Sequence, residues 1–120
     1  MTIIRDLLTA LVAIEHVYIL ILEMFLWTTP RARKAFGTDK TFAEATRSLA
    51  ANQGLYNGFL AAGLFWGLIH PNAAIGHQLQ LFFLGCVLVA AVYGGLTAKR
   101  SILLVQGLPA LAAMVAVLVL

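Results

Sequence analysis

The most constraining feature of this chain is a series of apolar segments, each long enough to cross a lipid bilayer as a helix. A membrane-crossing helix needs about 20 mostly apolar residues. Four segments reach this length, and only short connections separate them. The sequence therefore predicts four spans, over residues 4–27, 42–69, 77–98 and 102–120.

The overall composition supports membrane insertion. Hydrophobic residues make up 62% of the 120 residues, charged residues make up 11%, and the mean hydropathy is +0.93. A soluble domain carries about 25% charged residues, and a chain this short has too little interior to enclose so much apolar surface. The first apolar segment exceeds the core of a signal peptide, which has about 7–15 residues, so we expect it to be retained as a span.

The segment 42–69 is the least apolar of the four, because polar residues interrupt its first half. Its second half reads GFLAAGLFWGLI, so we expect it to cross the membrane. If it lay on the surface instead, three spans would remain and the topology would change. Its start carries Thr41 and Glu44 at the spacing of a capping box, in which each side chain bonds a backbone N–H of the first helical turn.

The basic residues predict the orientation of the spans. Most of the Lys and Arg residues flank the first and third connections, whereas the second connection has neither. Because cytoplasmic loops are enriched in Lys and Arg, both termini are predicted on the non-cytoplasmic side. Short connections make successive spans antiparallel neighbours. The predicted fold is thus all-α, a single-domain integral membrane antiparallel four-helix bundle in a cell membrane.

Soluble catalytic and binding motifs do not occur in the sequence. It has no CxxC, no phosphate-binding loop, no GxGxxG, no nucleophile elbow and no HExxH zinc helix. The net charge of +3 resides in short loops and not in a nucleic-acid module, so no nucleic-acid partner is predicted. No metal site is predicted either, because Glu15, His16 and Glu23 lack the spacing of a zinc helix. The single cysteine, Cys86, lies in an apolar run and is interpreted as a small buried hydrophobe.

The stretch EHVYILILEMFLW (residues 15–27) carries three ionisable groups, Glu15, His16 and Glu23, within a predicted span. At 100° per residue they occupy one side of the helix. An ionisable group facing hydrocarbon costs about 2.5–3.5 kcal/mol even on the lenient scales. We therefore expect these side chains to face protein or water, as one wall of a polar cavity.

Polar residues of the other spans are predicted to lie at matching depths. From the inner helix ends, Glu23 is about 6 Å deep and His16 about 16 Å deep. An inner layer and a central layer result, and the cavity is predicted to open toward the cytoplasm. The inner layer contains Glu23, Asn52, Gln53, Tyr93 and Gln106, and the central layer contains Glu15, His16, Tyr56 and Asn57.

These residues support two interpretations. In the functional one, Glu15, His16 and Glu23 are catalytic, because intramembrane ionisable groups usually mark functional sites. The other polar residues of the two layers would then bind the substrate. In the structural one, the same side chains only form interhelical hydrogen bonds, which average about 0.6 kcal/mol in membranes.

Small residues on the second span predict close helix contacts. Gly54 and Gly58 form one GxxxG pair, and Gly63 and Gly67 form another. We expect contacts within the bundle, with homo-oligomerisation through either pair as the alternative. In the fourth span, Pro109 is predicted to kink the helix and to free the carbonyl of Val105.

The sequence resembles the bacterial membrane proteins of the family named domain of unknown function 1304. The resemblance rests on E-H followed by L-E-M-F-x-W, on T-P, and on N-Q-G-x-Y-N-G, and it extends over the whole chain. It implies a small four-span protein of the cell membrane and supplies no activity. The matching positions are Glu15, His16, Glu23, Met24, Phe25, Trp27, Thr29, Pro30, Asn52, Gln53, Gly54, Tyr56, Asn57 and Gly58.

Four functions remain open from the sequence. The first is acid/base chemistry of an isomerase type, or binding, of a small lipophilic molecule among the membrane lipids. The second is binding or transport of a small cation or amine. The third is a haem protein with His16 as axial ligand, and the fourth is a scaffold subunit of a membrane complex. The sequence leaves cofactors unknown.

Overall fold

The computed structural model describes residues 2–120, and within them every regular element is helical. The elements are α1 (Thr2–Met24), α2 (Pro30–Phe36), α3 (Lys40–Ala45), α4 (Arg47–Ile69), α5 (Ala73–Thr97) and α6 (Leu108–Val119). A π-helical turn, Leu103–Gly107, precedes α6. The predicted all-α class is confirmed.

Two helices, Thr2–Met24 and Ala73–Thr97, are long and apolar enough to cross a membrane. A further apolar helical stretch, Leu103–Val119, is shorter. Helix α4 has 23 residues but carries the polar positions that made its segment the least apolar in the sequence.

The chain divides into two compact units, which we call the polar unit and the apolar unit. The polar unit is Glu15–Phe59, and the apolar unit consists of residues 2–14 and 60–120. Both α1 and α4 contribute to each unit. The apolar unit contains the largest buried cluster, with members from α1, α4, α5 and α6: Val12, Ala13, Leu64, Leu84, Val87, Ala110, Ala113 and Val117.

The first connection differs from the prediction, because it contains two short helices instead of a loop. Helix α1 ends at Met24, three residues before the predicted end of the first span. Thr29 caps α2 through Ala32 N–H at 3.4 Å, and Pro30 occupies its first turn, where a missing N–H costs nothing. Gly37 ends α2 with φ 69°, a conformation that glycine adopts without strain.

The predicted capping box at Thr41 and Glu44 is wrong. The cap of α3 is Asp39, whose carboxylate accepts the Phe42 N–H at 2.7 Å. Helix α3 starts at Lys40, so Asp39 is the residue placed to cap its first turn, and its carboxylate gains from the positive end of the helix dipole. Thr46 then separates α3 from α4, so the predicted span 42–69 is interrupted near its start.

The last helical stretch is irregular just before Pro109, close to where the sequence predicted a kink. Proline has no N–H for the helical ladder, and the π-helical turn absorbs this defect over five residues. Helix α5 begins four residues before the predicted third span, because Asn72 caps it through Ile75 N–H at 3.1 Å.

Candidate functional site

The polar unit contains a buried carboxyl group that is held by an amide. Glu23, near the end of α1, is 3% exposed. The Nδ2 of Asn57 on α4 donates a 2.6 Å hydrogen bond to its Oε1, and also donates to the Gln53 carbonyl at 3.3 Å. The short hydrogen bond from Asn57 holds the Glu23 side chain in one orientation.

Glycine on α4 permits this close approach of the two helices. A Cβ at Gly54 would lie 2.7 Å from Met24 Cγ, 3.0 Å from Glu23 Cβ and 3.2 Å from the Leu20 carbonyl oxygen. Any larger residue would push α4 away from α1 in this region. The absence of a side chain at Gly54 therefore allows Asn57 of α4 to reach Glu23.

A second pair of ionisable groups lies two helical turns earlier on α1. His16 is 1% exposed, and its Nδ1 is 4.0 Å from Oε1 of Glu15, whose side chain is 22% exposed. That separation is too long for a hydrogen bond. Oε1 of Glu15 is enclosed and accepts no hydrogen bond from residues 2–120. It is thus a buried hydrogen-bond acceptor that no donor of the described residues satisfies.

The remaining predicted residues lie in different surroundings. Asn52, Gln53 and Tyr56 are exposed on α4, and the Tyr56 ring packs against Phe59 with centroids 5.9 Å apart. In the apolar unit, Tyr93 is 70% exposed on α5. Gln106 is half-buried within the π-helical turn. The structure thus joins Glu23 to Asn57 and places Glu15 beside His16.

The predicted glycine contacts form within the chain. In the polar unit, Gly58 approaches Leu20 of α1. In the apolar unit, Gly63 approaches the Phe83 ring, and a Cβ at Gly67 would lie 2.8 Å from Gln80 Cγ on α5. Homo-oligomerisation through either pair remains a prediction, although these faces already contact helices of the same chain.

Polar contacts in both units were not predicted from the sequence. In the polar unit, Trp27 Nε1 donates to Thr46 Oγ1 at 3.0 Å. In the apolar unit, Thr9 Oγ1 donates to Gln80 Oε1 at 3.1 Å, and Gln80 Nε2 donates to the Gly67 carbonyl at 3.3 Å. An amide within the long apolar helix α5 was the available signal for the second contact, because a buried amide requires partners.

The described part of the chain was also compared with what a metal site requires, which is a group of His, Cys, Asp or Glu side chains. Among residues 2–120, no three His, Cys, Asp or Glu side chains are grouped so that they could hold a metal ion. The groups that the structure places together are the Glu23 carboxyl with the Asn57 amide and the Glu15 carboxyl with the His16 imidazole. Proton transfer and hydrogen bonding are the common chemistry of such groups.

Fold and site together define a class of all-helical proteins with long apolar helices and a buried acidic residue, Glu23, near the end of the first helix. Residues 10–118 match the family described as "Protein of unknown function (DUF1304)", and the chain belongs to that family. The resemblance inferred from the sequence is thereby confirmed.

A curated relative supports the same membership. The chain is 33% identical over 109 residues to the "Uncharacterized protein YpaA" of Lactococcus lactis subsp. lactis (strain IL1403). The aligned region covers 89% of this chain and 90% of the relative. No solved structure matches the chain. Neither description names an activity, so function has to be argued from the site.

Proposed function

We propose that the protein is an integral protein of the cell membrane that transfers protons to and from a small lipophilic molecule in an isomerase-type reaction. The catalytic groups are Glu15, His16 and Glu23, and Asn57 orients Glu23. The observation that carries the proposal is the burial of these groups on a helix apolar enough to cross a membrane, with His16 at 1% and Glu23 at 3% exposure.

The membrane part of the proposal rests on the apolar helices. We propose that α1, α4, α5 and the stretch Leu103–Val119 are four antiparallel spans; the support is that α1 and α5 are long and apolar enough to cross a membrane. The basic residues around α2 and α3, together with Lys99 and Arg100, then lie on the cytoplasmic side. Both termini are on the opposite side.

The energetic argument favours a chemical role over structural glue. Burying ionisable groups in a bilayer is expensive, and the hydrogen bonds gained are weak on average. The Glu23–Asn57 bond compensates one group. Glu15 Oε1 accepts no hydrogen bond from residues 2–120, and His16 Nδ1 lies 4.0 Å from it, so this carboxyl group is buried at a cost that its hydrogen bonds do not offset.

The reaction conserves atoms and electrons without a co-reactant. A protonated carboxyl group donates a proton to one carbon of an alkene, and His16 or the second carboxylate removes a proton from the allylic carbon bonded to the other alkene carbon. The double bond shifts by one position, and one further proton exchange restores the starting protonation of the site. Two titratable groups in different surroundings can serve as proton donor and proton acceptor in the same reaction.

The proton transfer can be tested with lipids from the cells that produce the protein. Purified protein is incubated in D₂O with a total lipid extract from the producing cells, and mass spectrometry follows deuterium bound to carbon. We expect one lipid species to gain deuterium with the wild-type protein, and Glu23→Gln or His16→Ala to lower this rate at least about tenfold, within the range usual for general acid–base groups.

A matched control separates the site from general damage. Glu44 is exposed on α3, so Glu44→Gln makes the same chemical change outside the site and should leave the deuterium uptake unchanged. Equal uptake with the wild type, Glu23→Gln and no protein would overturn the proposed chemistry.

A second candidate function is binding of a lipophilic amine without chemistry. The Glu15 side chain favours it, because this side chain is 22% exposed and its carboxyl group can pair with a protonated amine. In that case, native mass spectrometry would detect an amine retained by the wild-type protein and lost from Glu15→Gln, with no deuterium in carbon positions.

A further inference from the structure

Four polar side chains of the polar unit, which we call the polar row, differ in a regular way in their exposure. Arg31, on the first turn of α2, is exposed, and Tyr18 on α1 is 45% exposed. The Glu15 side chain is 22% exposed, and the His16 side chain is 1% exposed. The polar row therefore begins with an accessible cation and ends with a buried imidazole.

Each member of the polar row lies beside the next one. Arg31 Nη1 donates a hydrogen bond to the Tyr18 hydroxyl oxygen at 3.3 Å. Tyr18 and Glu15 are three residues apart on α1, a spacing that makes side chains neighbours on a helix surface. Glu15 Oε1 and His16 Nδ1 are 4.0 Å apart. The row consequently connects the surface with two of the groups to which we assign the proposed chemistry.

The Arg31 guanidinium has unused donors and an unpaired charge. An arginine side chain carries five N–H donors, and within residues 2–120 Arg31 uses one of them, in its bond to Tyr18. None of the ion pairs among these residues includes Arg31. The Tyr18 oxygen accepts from Arg31, so its own O–H remains available as a donor. Arg31 and Tyr18 thus present accessible donors to a molecule from outside the chain.

The position of this cation along α1 favours an anionic partner. Tyr18 lies six residues before Met24, the last residue of α1, which corresponds to a rise of about 9 Å. If α1 crosses the membrane, as proposed above, the bond to Tyr18 draws the Arg31 charge toward the bilayer, where an unpaired charge is costly. A bound anion would offset this cost.

We propose that Arg31 and Tyr18 bind the singly charged anionic headgroup of a lipophilic substrate, a carboxylate or a phosphodiester, whose chain extends toward Glu15 and His16. A guanidinium presents paired N–H groups that match two oxygens of such a headgroup, and the phenol adds another donor. One guanidinium balances one negative charge. This inference deepens the proposed function by naming its substrate class, and it rests on that function for the place of the reaction.

The headgroup also distinguishes between the two carboxyl groups of the proposed reaction. Glu15 is the carboxyl group adjacent to Tyr18 on the helix surface. A negative charge on Glu15 would repel the bound headgroup, because like charges disfavour each other at short range. Glu15 is therefore the better candidate for the protonated carboxyl group that donates to the alkene.

The test uses the full-length protein purified in a neutral detergent and native mass spectrometry of bound probe. Oleate, methyl oleate and oleylamine share one chain and differ in headgroup charge, and phosphatidylglycerol with phosphatidylcholine forms a separate arm. We expect oleate to bind the wild type at least about tenfold more tightly than methyl oleate, as for a charge-assisted hydrogen bond. A preference for phosphatidylglycerol over phosphatidylcholine, without one for oleate, would identify a phosphodiester as the headgroup.

Variants of the two exposed residues make the test specific. Arg31→Gln should weaken oleate binding about tenfold, and Arg31→Lys, which keeps the charge without the planar fork, should lose less than Arg31→Gln. Tyr18→Phe should weaken binding about threefold to fivefold by removing one neutral donor. The matched control is Arg47→Gln, because Arg47 is exposed at the start of α4 in the same unit, and it should change binding less than about twofold.

Several outcomes would overturn the headgroup site. They are the lack of a preference for either anionic probe, tighter binding of oleylamine than of oleate, and equal losses in Arg31→Gln and Arg47→Gln. The Glu23→Gln protein should keep the preference for the anionic probe. A preference without deuterium uptake would support this site and overturn the proposed chemistry, whereas uptake without a preference would do the reverse.

Discussion

The polar unit and the apolar unit bury their polar groups in different ways. In the apolar unit, Thr9 and Gln80 are neutral and complete their hydrogen bonds with each other and with a backbone carbonyl. In the polar unit, the buried groups are ionisable, and Glu15 retains an unused acceptor. A neutral, satisfied pair is typical of structure, whereas charged and unsatisfied groups are typical of function.

The two tryptophans allow the units to be measured separately. Trp27 lies in the polar unit and Trp66 in the apolar unit. Equilibrium unfolding by sodium dodecyl sulfate in mixed micelles, followed by fluorescence, would report the polar unit in a Trp66→Phe background and the apolar unit in a Trp27→Phe background. The predictions below use these two backgrounds and run from the largest expected effect to the smallest.

The largest effect is expected in the polar unit from Asn57→Leu. This change removes the donor to a carboxyl group that is 3% exposed and leaves it buried without compensation. The free energy of unfolding reported by Trp27 should fall by about 3 kcal/mol. Asn52→Leu makes the same substitution at an exposed position and should change it by less than about 0.5 kcal/mol. Equal effects of the two variants would contradict the importance of the buried pair.

In the apolar unit, Gly76→Ala should be the more damaging of two alanine substitutions. A Cβ at Gly76 would lie 2.6 Å from the Gly67 carbonyl oxygen, which belongs to a rigid backbone. We expect the Trp66 signal to show a loss of about 1–3 kcal/mol. Gly85→Ala meets only Met114 Cε at 3.7 Å, and should be neutral or stabilising by up to about 1 kcal/mol. A neutral Gly76→Ala would mean that the close helix contact is not needed.

A smaller effect is expected from Thr9→Val, also in the apolar unit. Gln80 loses one bond but keeps the Gly67 carbonyl, so the loss should be about 0.5–1.5 kcal/mol. Thr97→Val is the control, since Thr97 is exposed and bonds only locally to the Tyr93 carbonyl. A Thr9→Val loss as large as that of Asn57→Leu would remove the contrast between neutral and ionisable buried groups.

The smallest effect is expected from Tyr93→Phe. The Tyr93 side chain is 70% exposed on α5, so removing its hydroxyl should change stability by less than about 0.5 kcal/mol. Deuterium uptake by the lipid substrate should also stay within twofold of the wild type. A large loss of uptake with unchanged stability would return Tyr93 to the substrate-binding group that the sequence predicted.

Much of the fold was predictable, because apolar length and periodicity along one segment are local properties. The all-α class and the approximate positions of the four long helical stretches followed from them. The helices α2 and α3 were not predicted, since each has fewer than eight residues and their caps are single side chains at Thr29 and Asp39. Several residues can supply such a cap, and only the folded chain selects one.

The candidate site divides in the same way. The sequence alone determined that Glu15, His16 and Glu23 share one side of α1, because the angle between two side chains depends only on their spacing along the helix. It also determined that this side needs polar surroundings, because an ionisable group that faces hydrocarbon costs free energy whatever its neighbours are. The tertiary structure decided that Asn57, and not the exposed Asn52, bonds Glu23. That choice depends on how closely α4 approaches α1 at Gly54, a distance that no periodicity within a single helix contains.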